Sequence, residues 1–234
     1  MPTIKKRGYA AKNQSEQQIV TISHNISDFA AAHKKNFTIV AVVIAAVLIL
    51  GGGYSLMRSM QEQKAAPLVA QAFESFSSAN PDYAKALEQF RTVQKQYSST
   101  TSGAIAQYYV GNCLMSLGKN DEALKEYQTF VSKYGSDKFL LGLVSERMGY
   151  LDLALGKQTD AIKAFEQSES LLGPGAATME LAKLYEASGN SAEAQKKYKL
   201  IADKLAGTTW AMEATGKVQQ IASPPAVAPA KAAK

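Results

Sequence analysis

The chain has 234 residues, and its 46% hydrophobic and 20% charged fractions exclude a collagen-like, mucin-like or wholly disordered protein. A single cysteine excludes a disulfide within the chain and a Cys-rich zinc site, and two histidines leave little for a His-based metal cluster. The net charge of +6 is concentrated in residues 1–36, which hold six basic and two acidic side chains.

The first element is a basic arm over residues 1–36. A capping-box pattern at Ser15–Gln18 precedes apolar residues that recur at helical spacing from Ile19 to Ala30, which predicts an amphipathic helix. Two interpretations stay open for this helix. It lies on the inner membrane surface or docks on a partner, or it is a plain juxtamembrane helix that leads into the next element.

The second element is an uncharged segment over residues 37–57. As a helix it would rise roughly 31 Å at about 1.5 Å per residue, which matches a hydrocarbon core of about 30 Å. We therefore expect a transmembrane helix. A cleaved signal peptide is the rival interpretation, because Gly51 and Gly53 supply small residues after the apolar run.

Charge asymmetry predicts the orientation of this span. Cytoplasmic flanks carry an excess of Lys and Arg, and residues 1–36 carry a net +4 whereas the rest of the chain carries only +2. We expect a single-pass protein of the bacterial inner membrane, with a cytoplasmic N-terminus and a periplasmic C-terminal part. The basic charge then reports topology, and nucleic acid is not an expected partner.

Residues 58–221 contain a repeating pattern. It consists of a small residue, an alanine twelve positions later and an aromatic residue four positions after the alanine. The sets are Gly111, Ala123 and Tyr127; Gly149, Ala161 and Phe165; and Ala182, Ala194 and Tyr198, with a degenerate first copy at Ala86 and Phe90. Small residues let two antiparallel helices approach closely, and the aromatic lies on the same helical face as the alanine. Each set also has a glycine five residues before the alanine, which predicts a left-handed helix end: Gly118, Gly156 and Gly189.

Polar residues near the start of each second helix predict its N-cap. The expected caps are Asn80, Asn120 or Asp121, Thr159, and Ser191. After the last pair, a closing helix is expected over residues 208–221, with Trp210 as its anchor. Residues 222–234 are rich in proline and alanine and predict a disordered tail.

These spacings resemble the tetratricopeptide repeat family, whose pattern W-x2-L-G-x2-Y followed by A-x3-F fits residues 104–208 well and 67–103 weakly. The chain departs from the pattern at the tryptophan positions, Gln107, Ser145 and Thr178, and at Asp152, where the family prefers tyrosine. The resemblance implies an α-solenoid of helix pairs. Together with the expected span, this gives an all-α protein with a single transmembrane helix followed by the α-solenoid. The overall plan is similar to that of the membrane-anchored ancillary subunit of the bacterial Sec translocon.

In relatives of this kind, the first helices of successive pairs line a concave face that binds peptides. The resemblance therefore implies a protein-binding groove that includes Tyr108, Asn112, Met115, Glu146, Tyr150, Met179 and Lys183. Lys183 is the only cation in this set, so a basic clamp for a terminal carboxylate is not evident. The alternative is that several of these side chains pack between neighbouring pairs. Cys113 is expected to be a small buried core residue.

No glycine-rich phosphate loop, metal-ligand spacing or nucleophile elbow occurs in the sequence, so we expect neither catalytic residues nor a cofactor. The favoured function is an inner-membrane-anchored periplasmic scaffold that binds proteins or peptides of the cell envelope. Candidate partners are the Sec translocon and periplasmic chaperones. The alternative is a membrane-complex assembly factor that acts through its span and cytoplasmic arm, with the repeats as a spacer.

Overall fold

The computed structural model describes residues 34–222, and every regular element in this range is an α-helix. In chain order the helices are α1 (Lys34–Ser77), α2 (Tyr83–Gln96), α3 (Thr101–Ser116), α4 (Asn120–Tyr134), α5 (Lys138–Ala154), α6 (Gln158–Leu172), α7 (Ala176–Ala187), α8 (Ser191–Lys204) and α9 (Thr209–Ala222). The predicted amphipathic helix of the basic arm and the predicted tail beyond residue 222 lie outside the described residues. The chain divides into two units, Met1–Arg58 and Ser59–Lys234, and α1 contributes residues to both.

In the first unit, α1 is helical through the whole uncharged segment of residues 37–57. Its large apolar side chains are exposed; Ile39 is 54% and Leu50 is 73% exposed. Among the described helices, α1 is the one long and apolar enough to cross a membrane, and its apolar window has no buried residue.

In the second unit, consecutive helices from α2 to α9 pack against each other, and α3 also packs against α5. Since α3 and α5 are the first helices of consecutive pairs, this contact stacks one pair on the next. The pairs α3–α4, α5–α6 and α7–α8 thus form the predicted α-solenoid. Its core is built from the aromatic residues of the repeat, and Phe90, Tyr127, Phe165 and Tyr198 are fully buried. Each such burial contributes roughly 1.5–3 kcal/mol.

The small residues of the repeat accommodate these rings. A Cβ added to Gly149 would lie 2.6 Å from Cε1 of Phe165, and a Cβ added to Gly111 would overlap the ring of Tyr127. The sequence predicted a close approach at these glycines, and the structure shows that the aromatic side chain of the second helix fills the space.

The turn glycines have the predicted left-handed conformation. Gly118 and Gly156 have φ of 73° and Gly189 has φ of 77°. The residue after each glycine donates its N–H to a carbonyl five positions back, over 2.9 Å from Lys119 to Leu114 and 2.7 Å from Lys157 to Asp152. These bonds satisfy carbonyls that the helix end would otherwise leave unpaired.

The predicted N-caps were wrong at all positions. The helices α2, α4, α6 and α8 begin after Asp82, Lys119, Lys157 and Asn190. Asp82 and Asn190 accept a backbone N–H with their side chains, whereas Lys119 and Lys157 make no side-chain cap. In α4 and α6, an acidic residue stands in the first turn instead, where it interacts favourably with the helix dipole.

The closing helix is present as α9 and packs on α8. Its contacts come from Ala214, Val218 and Ile221, which join the same apolar cluster as Tyr198. Trp210, expected to anchor this helix, is 41% exposed. The small side chain of Ala214 lets α9 approach closely, so this helix does not depend on a large anchor.

Candidate protein-binding surface

Three of the predicted groove residues lie together around one depression of about 230 Å³. It is lined by Phe76, Tyr108, Tyr109, Asn112, Met115, Ser116 and Arg147. We call it the tyrosine depression. Helix α3 supplies most of its lining because Tyr108, Asn112 and Met115 recur at intervals of three and four residues and so share one helical face.

Two lining residues of the depression, Asn112 and Met115, contact the buried hydroxyl of Tyr127. This hydroxyl donates to Oδ1 of Asn112 over 2.5 Å and lies 3.3 Å from Sδ of Met115. Burial raises the pKa of Tyr127 above its usual value, and Tyr108 adds to this rise, so the hydroxyl stays protonated and keeps donating. The amide of Asn112 is thereby held in one orientation.

One wall is aromatic and centres on Tyr109. Its ring stacks on Phe90 with 5.0 Å between centroids and meets the edges of Phe76 at 5.2 Å and Tyr108 at 5.1 Å. Such pairs contribute about 0.5–1.5 kcal/mol each beyond the burial of area. Because Phe76 lies on α1 and Phe90 on α2, the wall joins the degenerate first pair to α3, and the depression has a rigid side.

The opposite side carries a cation, Arg147 on α5. Its side chain is half-buried, and its Nε lies 3.4 Å from the hydroxyl of Tyr108, to which it donates. Within residues 34–222, the guanidinium forms no ion pair with a carboxylate. An arginine stays charged in a protein, and in the part of the chain that the structure describes only one of its five N–H donors, that of Nε, has a hydrogen-bond partner.

The other predicted groove residues lie outside the tyrosine depression. On α5, Glu146 and Tyr150 are half-buried, and the ring of Tyr150 meets the edge of Phe165 at 5.1 Å. Burial raises the pKa of Tyr150, and the carboxylates of Glu180 and Glu146 add to the rise. These two residues therefore belong to a separate, acidic part of the surface.

On α7, Met179 and Lys183 differ sharply in exposure. Met179 is 4% exposed and packs in the apolar cluster of Tyr198, as the alternative interpretation of the groove residues expected. Lys183 is exposed and pairs with Glu180 over 3.2 Å.

Sequence reasoning missed Arg147 and Phe76. Arg147 follows the predicted Glu146 directly, and consecutive side chains on a helix point about 100° apart. A small error in the predicted rotation of α5 about its axis therefore places Glu146 in the groove instead of Arg147. Phe76 belongs to the degenerate first copy, which has no glycine marker from which to count. Its aromatic spacing from Phe73 is the signal that could have found it.

The depression offers aromatic faces, a thioether, an amide and a guanidinium, which together suit binding rather than bond cleavage. No group of three or more His, Cys, Asp or Glu side chains that could hold a metal occurs in the part of the chain described here. Cys113 is fully buried, as expected, and burial raises the pKa of its thiol to about 12. It is therefore a packing residue and not an activated nucleophile.

Comparison with solved structures finds the same architecture. The chain superimposes on a tetratricopeptide repeat protein from Parabacteroides merdae ATCC 43184 with a TM-score of 0.56 and 16% identity, over 68% of this chain and 60% of that one. The chain thus spans about 60% of the length of that protein. It superimposes on PilW, a widely conserved type IV pilus biogenesis factor, with a TM-score of 0.53 and 14% identity, over 88% and 94% of the two chains.

The comparison with curated proteins gives no match. A family model described as a tetratricopeptide repeat-like domain matches residues 31–221, which include all the helix pairs. Repeats of this kind are typically non-catalytic scaffolds suited to protein–protein interaction. The chain belongs to the tetratricopeptide repeat-like domain family.

Proposed function

We propose that this protein is a single-pass inner-membrane protein whose repeat domain binds polypeptides of the cell envelope at the tyrosine depression. The observation that carries the proposal is the half-buried guanidinium of Arg147 beside Tyr108 and Met115. Aromatic and thioether groups adapt to varied apolar side chains, and the guanidinium pairs with a carboxylate or a carbonyl oxygen.

The size of the depression favours a polypeptide over a small metabolite. Its volume is about 230 Å³. Small-molecule pockets commonly have about 300–1,000 Å³ and enclose most of the ligand. A depression of the observed size accepts one or two side chains of a longer segment, whose remaining residues would lie on the surrounding helices. Asn112 also lines the depression, and its Oδ1 accepts the Tyr127 hydroxyl, which fixes the orientation of its amide beside that segment.

Membrane anchoring is supported by the exposure of α1. A long apolar helix of a soluble domain is normally buried, whereas the apolar window of α1 has no buried residue in the structure. Lipid would cover these side chains. The excess of basic residues before the span supports a cytoplasmic N-terminus and a periplasmic repeat domain. The similarity to PilW shows a shared fold, so the proposal of an envelope partner rests on the span and its flanking charges.

Site-specific photo-crosslinking in intact cells tests the binding proposal. A photoreactive residue replaces Ser116, which lines the depression and is exposed, and in a matched control it replaces Lys199, which is exposed on α8. We expect a discrete adduct with an envelope protein from position 116 only. Arg147→Glu should abolish the adduct, and Arg147→Lys should weaken it, because lysine keeps the charge but loses the planar fork.

The binding proposal is wrong if both positions give the same adducts, or if Arg147→Glu leaves the adduct at position 116 unchanged. The Sec translocon and periplasmic chaperones are the partners to identify first among captured proteins. Deleting residues 1–36 while retaining the span separates the proposal from the assembly-factor alternative. Binding at the depression predicts that the adduct persists, whereas the alternative predicts complete loss of function.

Topology is tested by cysteine labelling. A cysteine in place of Lys196, which is exposed on α8, should react with a membrane-impermeant maleimide in cells whose outer membrane alone has been opened. A cysteine in place of Ser15 should react only after the inner membrane is lysed. The buried Cys113 does not interfere. An epitope fused before residue 1 distinguishes the signal-peptide interpretation, because cleavage would remove it from the mature protein.

A further inference from the structure

A second pocket lies around Asp152 on α5, between α4 and α6. It has a volume of about 310 Å³ and is lined by Leu124, Gln128, Met148, Asp152, Lys157, Asp160, Lys163, Ala164 and Gln167. We call it the Asp152 pocket. It shares no lining residue with the tyrosine depression, and α4 and α6 are second helices of their pairs, so it lies outside the groove implied by the family resemblance.

Asp152 is a mostly buried residue whose carboxylate, at the surface of the pocket, has no partner in the described residues. The residue is only 6% exposed, yet its side chain lines the pocket. Its backbone carbonyl accepts the N–H of Lys157, but its carboxylate has neither a hydrogen bond nor an ion pair with any residue from 34 to 222. An ionised group buried in this way costs free energy unless a counter-charge or several donors compensate it.

Packing does not require an acid at this position. The corresponding residues of the other pairs, three positions after the small residue of the repeat, are Leu114 and Tyr185. Leu114 is fully buried in the apolar core. Asp152, in the pair α5–α6, therefore departs from the repeat at a position where an apolar or aromatic side chain would serve the fold. This departure points to a role in binding.

Two lysines and two aspartates line the pocket, but no described cation lies within ion-pair distance of Asp152. Burial raises the pKa of Asp152, the nearby carboxylate of Asp160 raises it further, and Lys157 opposes the rise. Lys163 is engaged with Asp160, with 3.4 Å between Nζ and Oδ1. Lys157 influences Asp152 without forming an ion pair with it, so an incoming positive group would relieve the unfavourable burial.

An organic cation fits this pocket better than a metal ion. Calcium takes about 6–8 oxygen ligands, whereas the lining of this pocket includes two carboxylates. Its walls include the apolar side chains of Leu124 and Met148, which suit the methylene stem of a long basic side chain. A planar guanidinium is the basic group best suited to carboxylates in a buried setting.

We propose that the Asp152 pocket binds an arginine side chain of a second polypeptide. The guanidinium pairs with Asp152 and extends towards Asp160, and the stem of the arginine packs against Met148. The pocket is a second recognition point, independent of the tyrosine depression, and a partner bound there contacts the second helices of the repeat.

Methyl NMR of the full chain in lipid nanodiscs tests this proposal, because Met148 lines the pocket and Met115 lines the tyrosine depression. The probe is the peptide acetyl-Gly-Arg-Gly-amide, added to protein with ¹³C-labelled methionine methyls. We expect a saturable shift of the Met148 resonance and none at Met115. The citrulline analogue, which has the same shape without the charge, should bind at least about tenfold more weakly.

Variants assign the effect to Asp152. Asp152→Asn should abolish the Met148 shift, and Asp152→Leu, which copies Leu114, should do the same while the Met115 and Met179 resonances show an intact fold. Asp121→Asn removes an exposed carboxylate on α4, outside the lining of the pocket, and should leave the Met148 shift unchanged. The proposal fails if Met148 does not respond, if citrulline acts as well as arginine, or if the shift persists in Asp152→Asn.

A last variant distinguishes a second polypeptide from the chain's own tail. The double substitution Lys231→Gln and Lys234→Gln removes the two basic side chains beyond α9. Binding of a second polypeptide predicts no change of the Met148 resonance without peptide. A shift of that resonance would mean that the tail itself occupies the pocket, which would overturn the proposal of a separate partner. Crosslinking at Ser116 is unaffected by either result.

Discussion

The carboxylate of Glu62 on α1 caps the first turn of α3 at Ser102. It accepts a hydrogen bond from the Ser102 hydroxyl, with 2.5 Å between the oxygen atoms, and one from the Ser102 backbone N–H, with 3.1 Å between nitrogen and oxygen. Because the first N–H groups of a helix have no partner within the helix, a carboxylate there satisfies a donor and interacts favourably with the helix dipole. Ser102 is 3% exposed, so water cannot readily replace this partner.

Glu62→Ala should lower the free energy of unfolding by about 1–3 kcal/mol, since it leaves two buried donors of Ser102 unpaired. Urea denaturation followed by far-UV circular dichroism measures the change. Glu74→Ala, at an exposed position of the same helix, is the matched control and should stay within about 0.5 kcal/mol of the natural protein. Equal effects of the two substitutions would show that the cap does not contribute.

Gly149→Ala should destabilise the protein even though alanine is the better helix former. The new Cβ would lie 2.6 Å from the ring of Phe165, which is fully buried and cannot move freely. Overpacking of this kind costs about 1–3 kcal/mol, which exceeds the roughly 0.5–1 kcal/mol gained in helix propensity. Thermal unfolding should show a lower midpoint temperature.

The control variant, Gly216→Ala, should change the free energy of unfolding in the opposite direction. Gly216 lies inside α9, and a Cβ added there would meet no atom within 4 Å. Gly216→Ala should therefore raise the free energy of unfolding by about 0.5–1 kcal/mol. A loss of stability in both variants would mean that the contact with Phe165 is not the cause.

The helix pairs were predictable because the sequence encodes their closest contacts directly. A glycine at position 149 and an aromatic at position 165 leave one arrangement of two antiparallel helices, and Gly156 fixes the turn between them. The N-cap of α4 was not predictable from residue type, because an aspartate such as Asp121 is favourable inside the first turn as well as before it. Helices α4 and α6 begin after lysines, whose side chains make no cap.

The binding surface was only partly predictable, for a different reason. Tyr108, Asn112 and Met115 follow from the periodicity of a single helix, and the structure brings them together. Arg147 and Phe76 reach the same depression from other helices, so their positions depend on how α5 and α1 are rotated against α3. Residue spacing within one helix does not determine that rotation.

A buried polar network replaces the tryptophan of the family pattern at Gln107. Its Nε2 donates to Oε2 of Glu126 over 2.6 Å, and its Oε1 accepts from Gln94 over 2.6 Å. Gln107 is 2% exposed. The network joins α2, α3 and α4, so the departure from the family pattern keeps these helices together by hydrogen bonds instead of by an indole ring.

A double-mutant cycle measures this coupling. Gln107→Ala and Glu126→Ala should each destabilise the protein, and the double variant should lose less than the sum by about 1–3 kcal/mol, because either substitution removes the same charged hydrogen bond. Pairing Gln107→Ala with Glu193→Ala on α8 should instead be additive within about 0.5 kcal/mol. Additivity in the first cycle would contradict the network.

Cys113 should make stability depend on pH in the alkaline range. Burial raises the pKa of its thiol from 9.0 to about 12, so above pH 9 the unfolded chain loses this proton while the folded chain keeps it. The contribution of the protonated thiol to the free energy of unfolding is fully present below pH 9. It declines as the pH rises towards 12, by up to about 1.4 kcal/mol per pH unit. Urea denaturation of the natural protein and of Cys113→Ala between pH 8 and pH 11 measures the effect, since the buried tyrosines are present in both. If the free energy of unfolding had the same slope against pH in the two proteins, the fold would not protect this thiol from ionisation.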